Sequence, residues 1–247
     1  KLIPPPKASR AMMAVYDSLD KGSETVAAII AEKIIPCTLE FLDNFTIRTV
    51  EDFRRAGLPI EAEALLLIEV DGHPEEVREE SQKVEAICRK LGAVDIKIAE
   101  SVQEKETIWQ ARRDALPALA RQRPTTILED ATVPRSRIPD MVKGIKRISR
   151  KYNLPIGTYG HAGDGNLHPT ILTDKRDKEE FERVEKCIAE IFDIALSLDG
   201  TLSGEHGIGL TKAQFMEQEV GAATLKYSRR LKKGVDPKNL INPGKVI

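Results

Sequence analysis

The order in which strand-like and helix-like segments follow one another is the feature that most constrains the fold of this chain. In residues 1–100, short apolar runs typical of strands alternate with stretches that have the apolar spacing of a helix. The predicted strands cover 10–18, 36–43, 63–72 and 94–100, and the predicted helices cover 20–34, 44–57 and 73–92. This order is βαββαβ with one inserted helix, which is the ferredoxin-like pattern.

Residues 101–247 repeat the pattern without repeating the sequence. A predicted helix over 101–120 is followed by a strand at 125–134, a helix at 138–152, strands at 154–162 and 166–173, and a helix at 177–198. The sequence therefore predicts an α+β fold of two ferredoxin-like βαββαβ halves, 1–100 and 101–247, the second extended by a C-terminal tail. We expect the halves to share a mainly antiparallel sheet with helices packed on one side.

Composition excludes several classes of protein. The 38 Lys and Arg residues are balanced by 39 Asp and Glu residues, and aromatic residues make up only 4%, so we expect no nucleic-acid partner. The longest apolar runs, such as 64–68, are far shorter than the roughly 20 residues of a membrane helix, so we expect no transmembrane segment. Cys37, Cys88 and Cys187 are far apart and are predicted to be free core thiols.

The start of the chain, KLIPPPKASR, has neither an initiator Met nor an apolar signal core. Its three prolines predict an extended connector. We therefore expect the chain to be a piece of a longer polypeptide.

The stretch GHAGDGNLHP, residues 160–169, places two of the four histidines around a turn. Asp164 and Gly165 are favoured at the centre of a two-residue type I′ turn, in which both residues have positive φ. That turn would make His161 and His168 directly opposed cross-strand neighbours on one sheet face, close enough to bind one metal ion. The alternative is an ordinary hairpin whose histidines are satisfied by hydrogen bonds, and this reading stays open.

The stretch SGEHGIG, residues 203–209, places an acid and a third histidine between glycines. Glu205 would complete a His/His/Glu ligand set with an open position, as in catalytic metal sites. Its neighbour His206 would point away from that set and act as a base. Alternatively, a helix begins here with Ser203 as its N-cap and Glu205 near its dipole.

Three further features carry weaker signals. Arg112, in IWQARRDALPA at 108–118, has a guanidinium suited to gripping a carboxylate, although a solvated helix arginine is the alternative. His73, before a proline, is expected at the surface. The tail at 236–247 is expected to be non-helical past Asn239 and is otherwise an ordinary terminus.

Taken together, these motifs resemble those of a known family. GHAGDGNLHP, SGEHGIG, IWQARRDALPA and INPGK, with CTLEFLDN and EALLLIEVDG, are closely similar in order and spacing to the C-terminal half of FAD-linked oxidases of the vanillyl-alcohol oxidase type, specifically the glycolate oxidase and D-lactate dehydrogenase branch. The resemblance covers essentially the whole chain. It implies that the chain is the cap that closes over the flavin, and that the N-terminal FAD-binding domain, absent here, precedes Lys1.

The resemblance also implies roles for individual residues. Three match a divalent-metal site for zinc, manganese or iron, namely His161, His168 and Glu205. His206 matches the catalytic base, and Arg112 matches the residue that binds the substrate carboxylate. Two asparagines, Asn166 and Asn242, are implied to contact the FAD cofactor.

The implied reaction is oxidation of a short 2-hydroxy acid, glycolate or D-lactate, to the 2-oxo acid with hydride transfer to FAD. Metal and base would share the removal of the hydroxyl proton. Relatives that act on 2-hydroxyglutarate carry a lysine at the position of Leu128, so the leucine favours a short substrate. The resemblance also implies an iron-sulfur partner subunit and a cytoplasmic location, peripheral at the inner membrane. By itself the chain is expected to be inactive.

Two other classes of function stay open. A metal-dependent hydrolase would use the His/His/Glu ion to activate water, with His206 as base, and would turn over without flavin. A non-catalytic ferredoxin-like binding module would be unaffected by alanine at both hairpin histidines.

Overall fold

The computed structural model, which describes residues 4–246, is organised around one sheet whose strand pairings are antiparallel. The strands are β1 (Ala8–Tyr16), β2 (Thr38–Asp43), β3 (Ala64–Gly72), β4 (Asp95–Ile98), β5 (Thr125–Leu128), β6 (Ala131–Thr132), β7 (Ile156–His161) and β8 (Asn166–Thr173). The helices are α1 (Leu19–Ala31), α2 (Asn44–Arg54), α3 (Pro74–Lys90), α4 (Val102–Arg113), α5 (Ala115–Ala120), α6 (Ile138–Tyr152), α7 (Lys178–Ser197) and α8 (Met216–Val235).

The strand order is β4-β1-β3-β2-β7-β8-β5, with β6 also pairing β8. The strands of each predicted half are contiguous, and the halves meet where Phe41 and Leu42 of β2 pair with Gly160 and Tyr159 of β7. The predicted α+β, ferredoxin-like architecture is confirmed. In the second half the last strand is reduced to a single bridge between Thr132 and Thr201.

Each sheet face carries its own apolar cluster, because side chains alternate across a strand. Four helices, α1, α3, α6 and α7, pack on one face, as predicted, over residues such as Phe41 and Ile171. On the opposite face, the shorter helices α2, α4 and α5 cover Leu42, Leu67 and their neighbours. This second face, which we call the site face, also carries Tyr159.

Several element boundaries differ from the predicted ones. The predicted helix over 101–120 is two helices, α4 and α5, and Pro117 in the first turn of α5 explains the break because proline cannot donate to the preceding turn. The sequence analysis missed α8, which buries only Leu225 and therefore lacks a broad apolar stripe. The described residues past Asn239, up to Val246, are non-helical, as predicted.

The predictions for His73, for the cysteines and for the N-terminal connector have different outcomes. His73 is exposed as predicted, and Cys88 and Cys187 are buried, but Cys37 is exposed, so the prediction of a core thiol is wrong there. Residues 1–3 of the predicted proline connector lie outside the described residues, and Pro4–Pro6 are neither helix nor strand. Within residues 4–246, none of the helices combines the length and apolarity that a bilayer crossing requires.

The hairpin between β7 and β8 has a different register from the predicted one. Residues Ala162–Asp164 form a 3-10 turn, and Gly165 follows with a φ of 81°. His161 therefore pairs with Asn166, and His168 pairs with Tyr159, so the predicted direct His161–His168 pair is wrong. The register shift is an even number of residues, which leaves both histidines on the site face as diagonal neighbours.

Gly165 is expected to be indispensable for this turn. A Cβ there would lie 2.0 Å from the carbonyl oxygen of Val133, at a positive φ. We expect Gly165→Ala to lower the free energy of unfolding by about 2–4 kcal/mol, measured by urea denaturation. The control is Gly57→Ala, which has a φ of 74° but no atom within 4 Å, so it carries only the backbone strain of about 1 kcal/mol. Equal losses in the two variants would contradict the close approach.

Candidate active site

Four ionisable side chains from two segments meet at the hairpin end of the site face. His161 lies at the end of β7, His168 lies on β8, and Glu205 and His206 come from the loop at 203–209. Glu205 Oε1 lies 3.0 Å from His168 Nε2 and 3.8 Å from His161 Nε2. The candidate ligand atoms of His161, His168 and Glu205 all lie within 4.8 Å of one another.

This donor set fits a divalent metal ion. Two imidazole nitrogens and one carboxylate oxygen are the three protein ligands that catalytic zinc sites use, with a fourth position left open. Donor atoms around one ion at bonds of about 2.0–2.1 Å lie roughly 3.3 Å apart, which is close to the separations between Glu205 and the two histidines. The arrangement can therefore hold an ion after small side-chain movements.

His206 belongs to the same cluster. Its ring stacks on that of His168, with centroids 5.3 Å apart and an interplanar angle of 10°, and its Nε2 lies 3.7 Å from Glu205 Oε1. The expectation that His206 points away from the ligand set is wrong, because the loop presents both neighbouring side chains to the hairpin. Its role as base stays a prediction.

The buried carboxylate of Asp130 shapes the loop at 203–209. Its Oδ2 accepts hydrogen bonds from Ser203 Oγ at 2.6 Å, from Glu205 N at 3.0 Å and from His206 N at 2.9 Å. Burial alone would raise the pKa of Asp130, but these bonds and the nearby Lys212 hold it well below its ordinary value. Asp130 thus fixes the backbone of the loop. The loop is not a helix start with Ser203 as N-cap, because the next helical turn begins only at Ala213.

Lys212 neutralises this buried carboxylate. Its side chain is 5% exposed, and its Nζ lies 3.7 Å from Asp130 Oδ2 and donates to the carbonyl oxygen of Leu202 at 2.7 Å. Burial lowers the pKa of Lys212. The loop also packs closely on β6 at Gly204, where a Cβ would lie only 2.3 Å from Thr132 Oγ1.

Arg112 is joined to the cluster through Glu40. Arg112 Nε donates to Glu40 Oε2 at 2.5 Å, and Glu40 Oε1 lies 2.5 Å from His161 Nδ1. The guanidinium also lies over the ring of Tyr159, 4.8 Å from its centroid. Arg112 is therefore not the solvated arginine of the alternative reading.

Burial and these contacts shift the pKa values of Glu40, His161 and His168. Burial alone would raise the pKa of Glu40, but hydrogen bonds with His161 and Arg112 outweigh it and lower the pKa. The hydrogen bond with Glu40 raises the pKa of His161. Burial lowers the pKa of His168, whose Nδ1 has no hydrogen-bond partner within residues 4–246.

The site remains open on one side. The side chains of His161, Glu205 and His206 are 37%, 48% and 34% exposed, whereas that of His168 is 5% exposed. A substrate and a covering domain can therefore reach three of the four groups. This openness fits a flavin that would be presented from outside the described residues.

The two predicted flavin contacts have different surroundings. Asn166 is buried, and its Oδ1 accepts from Thr132 Oγ1 at 3.1 Å, so it lies under the loop at 203–209. Asn242 is exposed in the tail, which returns to the site where Val246 N donates to the carbonyl oxygen of Gly209 at 2.9 Å. Contact of either asparagine with FAD stays a prediction.

Sequence reasoning missed Glu40, Asp130 and Lys212. The sequence contains a usable signal for Glu40, because this acid lies between Leu39 and Phe41 in a strand whose central residues are otherwise apolar. Buried acids are rare unless they are paired. The partners of Glu40 were not readable, since Arg112 follows 72 residues later in the chain.

The chain matches known proteins over nearly its whole length. Residues 5–246 match the family described as FAD linked oxidases, C-terminal domain. The chain is 51% identical over 246 residues to the glycolate oxidase subunit GlcD of Bacillus subtilis, covering 100% of this chain and 52% of that protein. It is 32% identical to a Danio rerio protein named "Probable D-lactate dehydrogenase, mitochondrial", covering 98% of this chain and 49% of that protein.

A solved structure agrees in fold. The crystal structure of p-cresol methylhydroxylase with substrate bound aligns with a TM-score of 0.72 at 18% identity, covering 99% of this chain and 54% of that chain. The chain thus spans about half the length of the curated relatives that it matches. By its sequence and its fold, the chain belongs to the C-terminal domain family of FAD linked oxidases.

Proposed function

We propose that this chain is the substrate-binding and catalytic cap of a flavin-dependent oxidoreductase that oxidises a short 2-hydroxy acid, glycolate or D-lactate, to the 2-oxo acid. The observation that carries the proposal is the convergence of the His161, His168 and Glu205 donor atoms beside His206. The names of the relatives from Bacillus subtilis and Danio rerio support this substrate class.

Each polar group has a distinct task in this reaction. Arg112 donates to Glu40 through Nε, and its terminal nitrogens make no hydrogen bond within residues 4–246, so they can bind the substrate carboxylate. His206 takes the hydroxyl proton on a ring nitrogen. His161, His168 and Glu205 would hold a divalent ion, whose positive charge would lower the pKa of the substrate hydroxyl. FAD supplies the acceptor for the hydride that leaves the α-carbon.

The leucine at position 128 supports a short substrate. Leu128 pairs with Thr170 and packs in the apolar cluster of the site face together with Tyr159. A leucine side chain offers no positive charge with which a distal carboxylate could pair. We therefore favour glycolate or D-lactate over longer diacids.

The rest of the enzyme is also part of the proposal. We infer that an N-terminal FAD-binding domain of the same polypeptide covers the open side of the site, with Asn166 and Asn242 on the flavin side. The relative from Bacillus subtilis is named as a subunit, which supports the existence of a partner chain. We propose that this partner is an iron-sulfur subunit. A cytoplasmic location, peripheral at the inner membrane, completes this proposal.

Elemental analysis of the untagged protein tests the metal ligands. We expect near-stoichiometric divalent metal in the parent chain, a sharp fall in His168→Ala, and unchanged content in the control His73→Ala, whose histidine is exposed far from the hairpin in the sequence. Equal content in all three proteins would remove the ligand role.

Flavin reduction then tests the reaction itself. In the full-length polypeptide under anaerobic conditions, glycolate or D-lactate is expected to bleach the flavin absorbance. Absence of bleaching by both acids would contradict the proposal, and metal-dependent hydrolysis without flavin would support the hydrolase instead.

A further inference from the structure

Glu40 is a buried acid that the steps above leave without a task of its own. It lies within β2, on the site face, and is 4% exposed. A carboxylate in such a place is costly unless both oxygens are paired. Each oxygen has a partner: Oε1 meets His161 Nδ1 and Oε2 meets Arg112 Nε, both at 2.5 Å.

The chemistry of the two partners fixes the direction of both hydrogen bonds. A guanidinium only donates, so Oε2 of Glu40 must accept from Arg112. The other oxygen of the ionised Glu40 carboxylate, Oε1, is also an acceptor, so Nδ1 of His161 must carry a hydrogen. The lone pair of a neutral His161 is then on Nε2, the nitrogen that faces Glu205 at 3.8 Å.

His168 provides an internal contrast. Its Nε2 also faces Glu205, at 3.0 Å, but its Nδ1 has no hydrogen-bond partner in the described part of the chain. Of the two hairpin histidines, His161 alone has a carboxylate bound to Nδ1, the ring nitrogen that faces away from Glu205, within the described residues. Such outer partners orient metal-binding imidazoles and set their tautomer.

We propose that Glu40 is a positioning residue that holds His161 in the Nδ1-protonated tautomer and aligns Arg112 with the same carboxylate. It thereby sets the separation between the donor set and the group that binds the substrate carboxylate. The consequence for metal and substrate rests on the function proposed above, whereas the tautomer itself does not.

The substitution Glu40→Gln separates the two hydrogen bonds. Glutamine keeps the size of the side chain but offers one acceptor oxygen and one NH₂ donor. Because Arg112 always donates, the amide oxygen is expected to face Arg112 and the NH₂ group to face His161. His161 Nδ1 must then accept, so the hydrogen moves to Nε2 and blocks the lone pair that would bind a metal ion.

Nitrogen-15 NMR of the full-length polypeptide, labelled in histidine and kept metal-free at alkaline pH, reads the tautomer directly. We expect His161 to be protonated at Nδ1 in the parent and at Nε2 in Glu40→Gln. The matched control is Glu69→Gln, because Glu69 is another buried acid that binds α4, through Lys105 and Trp109. It should leave the His161 signal unchanged. Retention of the Nδ1-protonated form in Glu40→Gln would overturn the proposal.

Zinc titration against a competing chelator supplies the second readout. We expect Glu40→Gln to weaken Zn²⁺ binding by about 10–100-fold relative to the parent and to Glu69→Gln. An unchanged Zn²⁺ affinity would contradict the positioning role. If the parent protein binds no Zn²⁺, the metal part of the proposed function fails, and the NMR result alone decides the role of Glu40.

Discussion

Replacing His206 by alanine is expected to slow oxidation of the 2-hydroxy acid by about 10²–10⁴-fold, the range that general bases contribute. The ring stacks on His168 and lies beside the candidate ligand atoms, where it can take a proton from a hydroxyl held there. The exposed position of the ring means that little packing is lost, so the free energy of unfolding should change by less than about 1 kcal/mol.

Single-turnover flavin reduction in the full-length polypeptide measures this effect without interference from the later electron acceptor. Metal content serves as the internal check, because His206 is not among the three candidate ligands and the variant should keep its ion. His73→Ala is the matched control and should react at the parent rate. A loss of less than about tenfold in His206→Ala would assign the proton transfer to another group.

Replacing Asp130 by alanine is expected to lower the free energy of unfolding by about 3–5 kcal/mol and to abolish metal binding. The change leaves three donors of the loop at 203–209 without their acceptor and leaves the buried charge of Lys212 uncompensated. Glu205 and His206 then lose their fixed backbone positions. Urea denaturation and elemental analysis measure the two effects.

Asp43→Ala is the control that separates a loss of stability from a loss of metal binding. Asp43 is half-buried, and it accepts hydrogen bonds from Thr46 N and Thr158 N, both at 2.9 Å. Its loss should destabilise the protein while leaving the metal content unchanged. Retention of metal in Asp130→Ala would contradict the role assigned to Asp130.

The pH dependence of the Asp130 contribution has a definite sign. Because the folded state lowers the pKa of Asp130, its stabilisation is fully present above the ordinary aspartate pKa of about 4. It is lost as the pH falls further, through the lowered pKa of the folded state. The stability difference between the parent and Asp130→Asn, measured by urea denaturation at a series of pH values, should therefore shrink as the pH falls below about 4.

The sequence predicted the repetitive parts of the fold well, because periodicity is a local property. The helix at 138–152 begins and ends where the structure places α6, and the strand at 166–173 coincides with β8. The histidines and Glu205 were also identified from their glycine-rich motifs. Their assembly into one cluster depended on keeping both histidines on one face, which the even register shift preserves.

The errors arose where distant residues decide local geometry. The turn after β7 depends on the close approach of Gly165 to Val133, which no dipeptide preference reveals. The loop at 203–209 departs from a helix because Asp130, more than 70 residues earlier, binds its backbone. The acid Glu40 inside β2 was the available signal, but only the fold shows its partners.

The seam between β2 and β7 has a consequence for how this surface arose. Glu40 belongs to the first ferredoxin-like half, whereas His161 and Arg112 belong to the second, and the two halves are joined there by only two residue pairs. Neither half by itself contains the complete constellation of charged groups. If the fold descends from a duplicated ancestral unit, the present chemistry belongs to the fused pair and not to either half. The first half keeps its last strand, β4, whereas the second half has only the bridge between Thr132 and Thr201 in that place.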